Sequence, residues 1–427
     1  QRRQQHTPVG IFPTPQTQPE RRNSSRSSRW RHNVRVSSPL TPSLASALEA
    51  VLDGLPADAL RRATASLIEA YRSGTPPTAQ VLHDPTTAAA YAAYRMPATH
   101  AAVTRAVRHT TDLVPGLRVG SVVDIGGATG AATWAVAQAF PDLASATVVD
   151  GSADALATGR RIARHGPPPV AAATWQRTHL RADTVLPQAD LAVVSYLLGE
   201  LAGPLQEAVV DAAATASPTL LIIEPGTPRG YAAVLAARSR LTATGWHVLA
   251  PCPQDGPCPI ADRDDWCHFS VRLDRSALHR RLKGGRLGHE DEKFSYVVAT
   301  RDAGLRGVSS PGRVLRHPVS RKGLVQLEIC HADGIDRLRF RAVEPEEEVE
   351  VVDHQVEDHV DLDPAILPRR DAVALEIERI GDHLGERPIS AREALDMADL
   401  QHGLARLGKA CELGPRRDAV GQRLLHE

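Results

Sequence analysis

Between residues 41 and 115 apolar positions recur every three or four residues in LASALEAVLDGL, ADALRRATASLIEAYRSG and TAAAYAAYRMPATHAAVTRAVRHTTDLV. That spacing, broken by Pro and Gly, predicts a helical N-terminal region. From residue 121 short apolar runs alternate with helical ones. SVVDIGG reads as a strand entering a glycine turn, AATWAVAQAF as a helix, ATVVDGS as a strand and ADALATGRRIARHG as a helix. DLAVVSYLLGEL, EAVVDAAATA, TLLIIEPGTP and YAAVLAARSRLTATG continue the alternation, and EKFSYVVATR adds a strand of period two. Such alternation predicts an α/β fold with a doubly wound parallel sheet. RVLRHPVSRKGLVQLEICHADGIDRLRFRAV carries turns at RKG and ADG and predicts a few antiparallel strands.

The expected organisation is a disordered basic arm over 1–40, a helical domain over 41–115 and an α/β domain over 116–305 with a cysteine-rich insert at 250–292. A small β segment over 306–343, an acidic linker over 344–363 and a helical extension over 364–427 follow. At 42% hydrophobic and 23% charged, the composition is that of a soluble globular protein, and no apolar run reaches the length of a membrane span. The formal charge of zero conceals asymmetry, since the first 38 residues hold eight arginines and one acid. No secretory signal core is visible there, so thiols or metal ligands, rather than disulfides, are expected of the cysteines.

VVDIGGATG places Asp124 at a strand end, ahead of Gly126, Gly127 and Gly130 at a helix start. Glycines there let backbone N–H groups approach a ligand closely. Asp150, ending the next strand, stands where a carboxylate accepts ribose hydroxyls, and the pair points to a nucleoside cofactor. GxGxxG is not met. An acid two positions before the first glycine resembles the class I S-adenosylmethionine-dependent methyltransferases, which makes S-adenosylmethionine the expected ligand. Asp183 falls after the third strand, where an adenine contact and a plain turn carboxylate are equal readings.

Three of the five cysteines, Cys252, Cys258 and Cys267, fall within PCPQDGPCPIADRDDWCHFS, and Cys330 follows in the strand-like LEIC. Four thiolates suit a tetrahedral zinc or a cubane cluster, and the spacing does not choose between them. His268, His279 and His289 are substitute ligands by type, and Cys411 reads as a packed thiol. The segments EPGTPRGY, APCPQDGPCPIADRDDWCHFSVRL, HRRLKGG and EDEKFSYVV resemble the methyltransferase-like proteins of the small ribosomal subunit, mitochondrial assembly factors and predicted bacterial rRNA methyltransferases. The resemblance covers roughly residues 85–343. It implies a [4Fe-4S] cluster on Cys252, Cys258, Cys267 and Cys330, structural rather than redox-active, beside an S-adenosylmethionine site.

Base amino methyltransferases commonly grip their substrate with an Asn/Asp-Pro-Pro-aromatic turn after the fourth strand. Here that position reads SYLLGEL, so Tyr196, Glu200 and Glu224 are the remaining candidates to orient a substrate. Two functions follow as expectations: an rRNA methyltransferase, or an assembly factor that binds small-subunit precursor RNA without transferring a methyl group. A zinc-stapled small-molecule methyltransferase is the third. Phosphate contacts are expected from Arg272, Arg275, Arg280, Arg281, Lys283 and Arg286 and from Arg313, Arg316, Arg321 and Lys322. Trp266, Phe269 and Tyr296 are the nearest aromatics, while Arg95, Arg105 and Arg108 suit either a partner surface or a solvated helix face. The protein is expected to be monomeric and ribosome-associated, in the cytoplasm or alternatively the mitochondrial matrix.

Overall fold

The computed structural model describes residues 42–72, 82, 84–283, 287–305, 312–316, 318–321, 324–343 and 374–379. The basic arm, the acidic linker, Arg286, Lys322 and Cys411 lie outside these residues. Four helices come first: α1 (Pro42–Leu52), α2 (Ala57–Arg72), α3 (Pro85–Tyr94) and α4 (Met96–Leu113). α3 starts at Asp84, whose carboxylate accepts the N–H groups of Thr86 and Thr87 at 2.7 and 3.0 Å, with Pro85 in the first turn where its missing N–H costs nothing.

The α/β region then runs β1 (Ser121–Ile125), α5 (Ala131–Ala139), β2 (Ser145–Asp150), α6 (Ala153–Ala163), α7 (Pro168–Ala171), β3 (Thr174–Arg177) and β4 (Leu191–Ser195). It continues with α8 (Gly203–Ala216), β5 (Thr219–Pro225), α9 (Pro228–Ala243), β6 (His247–Ala250), β7 (Phe269–Asp274), α10 (Ala277–Lys283) and β8 (His289–Thr300). The strand order is β3-β2-β1-β4-β5-β8-β6, with β7 also on β8. Order reverses between β1 and β4, and the crevice above that switch point is where such sheets take their ligands. This is an α/β Rossmann-like fold.

The sheet is mixed rather than wholly parallel. β1 to β5 pair in parallel, but β8 is antiparallel to β5, β6 and β7. β6 pairs along Val298–Thr300 and β7 along His289–Phe294, so the loop 251–268 leaves and rejoins the sheet beside the C-terminal end of β5. The four-residue β3 and β6 escape a periodicity search because they are so short; in β3 only Trp175 is buried.

The helical region is a layer of this domain, not a unit with its own core. Leu44, Leu48, Leu52, Leu60 and Leu67 share one apolar cluster with Ala155, Ile162 and Trp175 of the α/β region. Ser152 Oγ donates to the Leu82 carbonyl at 2.6 Å, tying the segment before α3 to the cap of α6. Five buried alanines on α3 keep it narrow, and it packs directly on α6.

A second sheet follows: β9 (Arg313–Val314), β10 (Val319–Arg321), β11 (Leu324–His331), β12 (Gly334–Val343) and β13 (Ala374–Arg379), in the order β10-β11-β12-β13 with β9 on β11. The expected antiparallel strands are present. Within 364–427, where helices are expected, the described residues 374–379 form a strand. The reason is their alternation: ALEIER has period two, and the segment pairs antiparallel along 338–343 of β12.

EPGTPRGY also gains a steric explanation. A Cβ on Gly230 would lie 2.0 Å from the Pro225 carbonyl oxygen, and one on Gly226 would lie 2.7 Å from the backbone of Lys293 and Phe294. These glycines let α9 begin immediately after β5 while β8 passes alongside. Gly230→Ala is expected to cost about 1–3 kcal/mol, the range for overpacking. A denaturant midpoint equal to that of the wild type would refute this account.

Candidate cofactor cleft and cysteine loop

The glycine loop is built at the end of β1. Gly126 and Gly130 adopt φ of +65° and +82°, and the N–H groups of Gly126 and Gly127 both donate to the Val149 carbonyl, at 2.7 and 3.2 Å. Asp150 closes the loop, with Oδ2 accepting Ala128 N–H at 3.0 Å and Oδ1 accepting Ser152 N–H at 2.7 Å. A carboxylate has about four acceptor sites, so this half-buried group keeps capacity for ribose hydroxyls. Burial raises the Asp150 pKa, while these donors and nearby His179 lower it.

Asp124 is fully buried. Its Oδ2 accepts the N–H and hydroxyl of Thr133, both at 3.1 Å, but its Oδ1 has no hydrogen-bond partner among the described residues. Burial pushes its pKa up to about 7, with the Asp150 charge adding to the rise and the Thr133 bonds opposing it. A Cβ on Gly127 would sit 2.6 Å from the Asp124 carboxyl carbon, so only glycine leaves that carboxylate in place. An orphaned buried acceptor beneath a glycine loop fits a ligand that brings a positive donor. Asp183 lies exposed in the turn at 182–183, outside this group.

Across the switch point, β4 runs into Tyr196, a non-glycine residue at φ +55°. Its hydroxyl donates to Glu292 Oε1 at 2.9 Å. Arg95, at the junction of α3 and α4, donates to both Glu292 oxygens at 3.1 and 2.8 Å and lies 4.3 Å from the centre of the Tyr196 ring. Glu224, at the end of β5, accepts the N–H groups of Leu197, Leu198 and Gly199 at 2.9, 2.8 and 3.3 Å. Burial lifts its pKa to about 7 against these bonds. Glu224 therefore holds the turn after β4, not the EPGTP turn. Glu200 ends that short 3-10 turn, half-buried, and its charge acts on Tyr91 of α3. Tyr91 also feels the charges of Asp150 and Asp124, so α3 passes near the cleft.

The sequence reading missed Tyr91 and Glu292 and treated Arg95 as a surface charge. Arg95 is instead largely buried, its side chain 17% exposed. The one visible signal is an arginine between an alanine-rich run and Met96-Pro97, in AAYAAYRMP. Arg105 is likewise buried, whereas Arg108 is exposed.

Cys252, Cys258 and Cys267 lie on the loop 251–268, and Cys330 lies buried on β11; all four are free thiols. Cys330 clusters with Ile260 and Leu315, and Cys258 and Cys267 pack against that cluster. Charge on any of the other three thiols would raise the pKa of Cys330, and charge on Cys267 or Cys258 would raise that of Cys252, so the four converge on one place. Burial is the larger cause, pushing Cys252 to about 11 and Cys330 to about 12. Among the described residues no three of His, Cys, Asp and Glu are grouped to hold a single metal ion. His268 sits in this loop beside Trp266, at 5.6 Å between ring centres, whereas His279 packs on Tyr94 and faces Glu290. His289 begins β8.

Several bonds fasten the loop without any metal. Trp266 Nε1 donates to the Gly226 carbonyl at 2.9 Å and Ser295 Oγ to the Cys267 carbonyl at 2.7 Å. Arg316 pairs with Asp265, and Arg263 pairs with Glu328 of β11 at 3.1 Å. Of the residues expected to meet phosphates, Arg272 and Arg275 are paired with Asp291 and Glu290 on β8, and Arg313 and Arg316 serve the loop. Arg280, Arg281 and Arg321 remain exposed. Tyr296 is buried against Phe269, 4.9 Å between ring centres, so these rings are packed inside the fold rather than offered to bases.

Residues 85–341 match the family profile described as Mitochondrial small ribosomal subunit Rsm22. The chain belongs to the Rsm22 family. Its Rsm22 segment opens on Pro85, the first residue of α3, and ends within β12, so it includes α3 and α4, the main sheet, the cysteine loop and Cys330, and leaves out α1 and α2. The human ribosome assembly protein METTL17, mitochondrial, is 27% identical over 259 residues, covering 57% of this chain and 55% of that protein. A fission yeast Rsm22-cox11 tandem protein, mitochondrial, is 28% identical over 162 residues, covering 29% of this chain and 21% of that protein. This Rsm22 chain thus spans about half the length of the human relative and about a fifth of the yeast one. Among solved structures, a Synechocystis magnesium protoporphyrin IX methyltransferase with bound S-adenosylmethionine matches with TM-score 0.32 at 14% identity, covering 56% of this chain and 92% of that one. A Geobacter metallireducens precorrin-6y C5,15-methyltransferase matches with TM-score 0.29 at 14% identity, covering 46% and 85%.

Arg95 and Glu292 form a largely buried ion pair, and removing one partner strands the other charge. Arg95→Met is expected to cost about 3–5 kcal/mol, with Arg95→Met/Glu292→Met recovering most of the loss. Equal stability of the single and double variants in urea would contradict this.

Proposed function

We propose that this Rsm22-family chain is an S-adenosylmethionine-binding, [4Fe-4S]-bearing factor of the small ribosomal subunit that binds the subunit precursor without transferring a methyl group. The observation that carries the reading is the Arg95–Glu292–Tyr196 triad on the acceptor side of the cleft. Methyl transfer needs a nucleophile held in line with the donor, reacting atoms about 3–3.5 Å apart. Here the side chain that follows β4 is turned onto Glu292 beneath Arg95, and the N–H groups of the next turn are consumed by Glu224. Neither carboxylate is free to serve as a general base in this arrangement.

On the cofactor side, the unpartnered Asp124 Oδ1 suits the amino end of the methionyl group, and the spare acceptor capacity of Asp150 suits the ribose. S-adenosylmethionine would supply an electrophilic sulfonium methyl at that position. At the loop, Cys258 and Cys267 pack against the apolar group that holds Cys330, and a donor set of four cysteines suits the polynuclear cluster that the family resemblance implies. Its chemistry here would be a cross-link between the loop and β11. The exposed Arg280, Arg281 and Arg321 suit phosphates of the precursor rRNA, and the mitochondrial relatives favour the matrix as the compartment of this ribosome association.

Small-subunit particles from cells lacking this protein, incubated with the anaerobically purified chain and methyl-labelled S-adenosylmethionine, should bind the protein while their rRNA stays unlabelled. A labelled nucleotide that disappears with Asp124→Ala would overturn the non-transferring reading and establish an rRNA methyltransferase.

The raised Asp124 pKa sets a second expectation. Below about pH 7 the free protein carries a proton on this carboxyl, which a cationic ligand must displace. Affinity for S-adenosylmethionine should therefore fall towards about tenfold per pH unit below the pKa. Asp124→Asn should bind more weakly and lose this slope; calorimetry that finds a flat wild-type profile would refute the assignment.

A further inference from the structure

Tyr231, the last residue of EPGTPRGY, takes no part in the cofactor cleft. It lies in the first turn of α9, and its hydroxyl is 3.4 Å from Cys258 Sγ. A second side chain reaches the thiols from the small sheet. Arg313 of β9 stands opposite Cys330 in register, yet its Nη1 donates to Cys267 Sγ. Its Nη2 donates to the His268 carbonyl at 3.1 Å, and its guanidinium lies 3.9 Å from the centre of the Phe269 ring, which fixes the orientation of the group.

We propose that Tyr231 and Arg313 are positioning residues for the iron–sulfur cluster, donating hydrogen bonds to the thiolates of Cys258 and Cys267 from the methyltransferase domain and from the small sheet. This rests on the cluster reading above. An iron-bound thiolate carries no proton, so in the Tyr231–Cys258 contact only the phenol can donate. The guanidinium is permanently charged, and its bond to a thiolate is charge-assisted. Such bonds draw electron density from sulfur and weaken the iron–thiolate bond. They also raise the reduction potential, one of the levers a protein holds over a cluster. The two donors approach from α9 and from the small sheet, so the cluster's electronic state reports how the small sheet docks on the loop, whatever the cluster does in the cell. EPGTPRGY then has three uses: Glu224 for the turn after β4, Gly226 and Gly230 for packing, and Tyr231 for the cluster.

The test uses the full chain purified without oxygen, as wild type, Tyr231→Phe, Arg313→Gln and Arg313→Lys. Iron and zinc are counted first; zinc without iron in the wild type would overturn the cluster reading itself and this proposal with it. With four irons present, resonance Raman of the oxidised cluster should show iron–thiolate stretches shifted upward in Y231F and R313Q, with R313K between R313Q and wild type. Where dithionite reduces the cluster, the ratio of reduced to oxidised protein at the wild-type midpoint should fall about tenfold in each donor-less variant, ~59 mV for one electron. A residue that only packs would lower iron content without moving these signatures. Y231F removes one hydroxyl, so it decides the outcome even if R313Q loses its iron. Unshifted stretches in Y231F with four irons retained would overturn the proposal.

Discussion

Burying a carboxylate is costly unless it is paired or hydrogen-bonded, and this fold places three of them along one edge of its sheet. Asp124 ends β1, Glu224 ends β5, and Glu292 stands beside them near the start of the antiparallel β8. Each is met by a different part of the chain, and not all are met in full. Glu292 draws Arg95 inward and so fixes the junction of α3 and α4 against the sheet. Glu224 draws in the three N–H groups after β4. Asp124 alone is left with an unpartnered oxygen, and that difference separates the closed side of the cleft from the side that can still take a donor.

The cysteine loop depends on the same edge. It leaves β6 and returns as β7, next to the end of β5, because β8 is long enough to pair β5 and β6 along its last residues and β7 along its first. Trp266 and Ser295 pin the loop to the main sheet, while the Arg263–Glu328 and Arg316–Asp265 pairs tie it to the β9–β11 segment. The polar fastening is largely surface-exposed and therefore modest in energy. A metal centre bridging the loop to Cys330 would add far more, since its binding free energy becomes folding free energy.

Basic residues illustrate how charge is divided between structure and partner. Arginines on β7 and on the segment around β9 that look like a phosphate-binding array are largely spent on neighbouring acids and on the cysteine loop. What is left for a nucleic acid is a smaller set on α10 and β10. Phe269 and Tyr296, turned inward against each other, add no exposed rings to that set.

Local pattern determined a good deal by itself. The change from helical spacing to alternating runs at β1 announced the α/β sheet, VVDIGGATG with Asp150 marked the strand-to-helix loop that the structure builds at the end of β1, and the cysteines with EPGTPRGY announced the family. These signals are carried by neighbouring residues or short motifs, so one chain is enough to read them. The direction of β8 and the shared core of the helical layer were not readable, because strand pairing and layer packing join residues far apart in sequence. The same holds for the closed acceptor side: Arg95, Tyr196 and Glu292 are unremarkable where they stand in the chain, and only the tertiary fold brings them within hydrogen-bond reach, where desolvation makes their pairing obligatory.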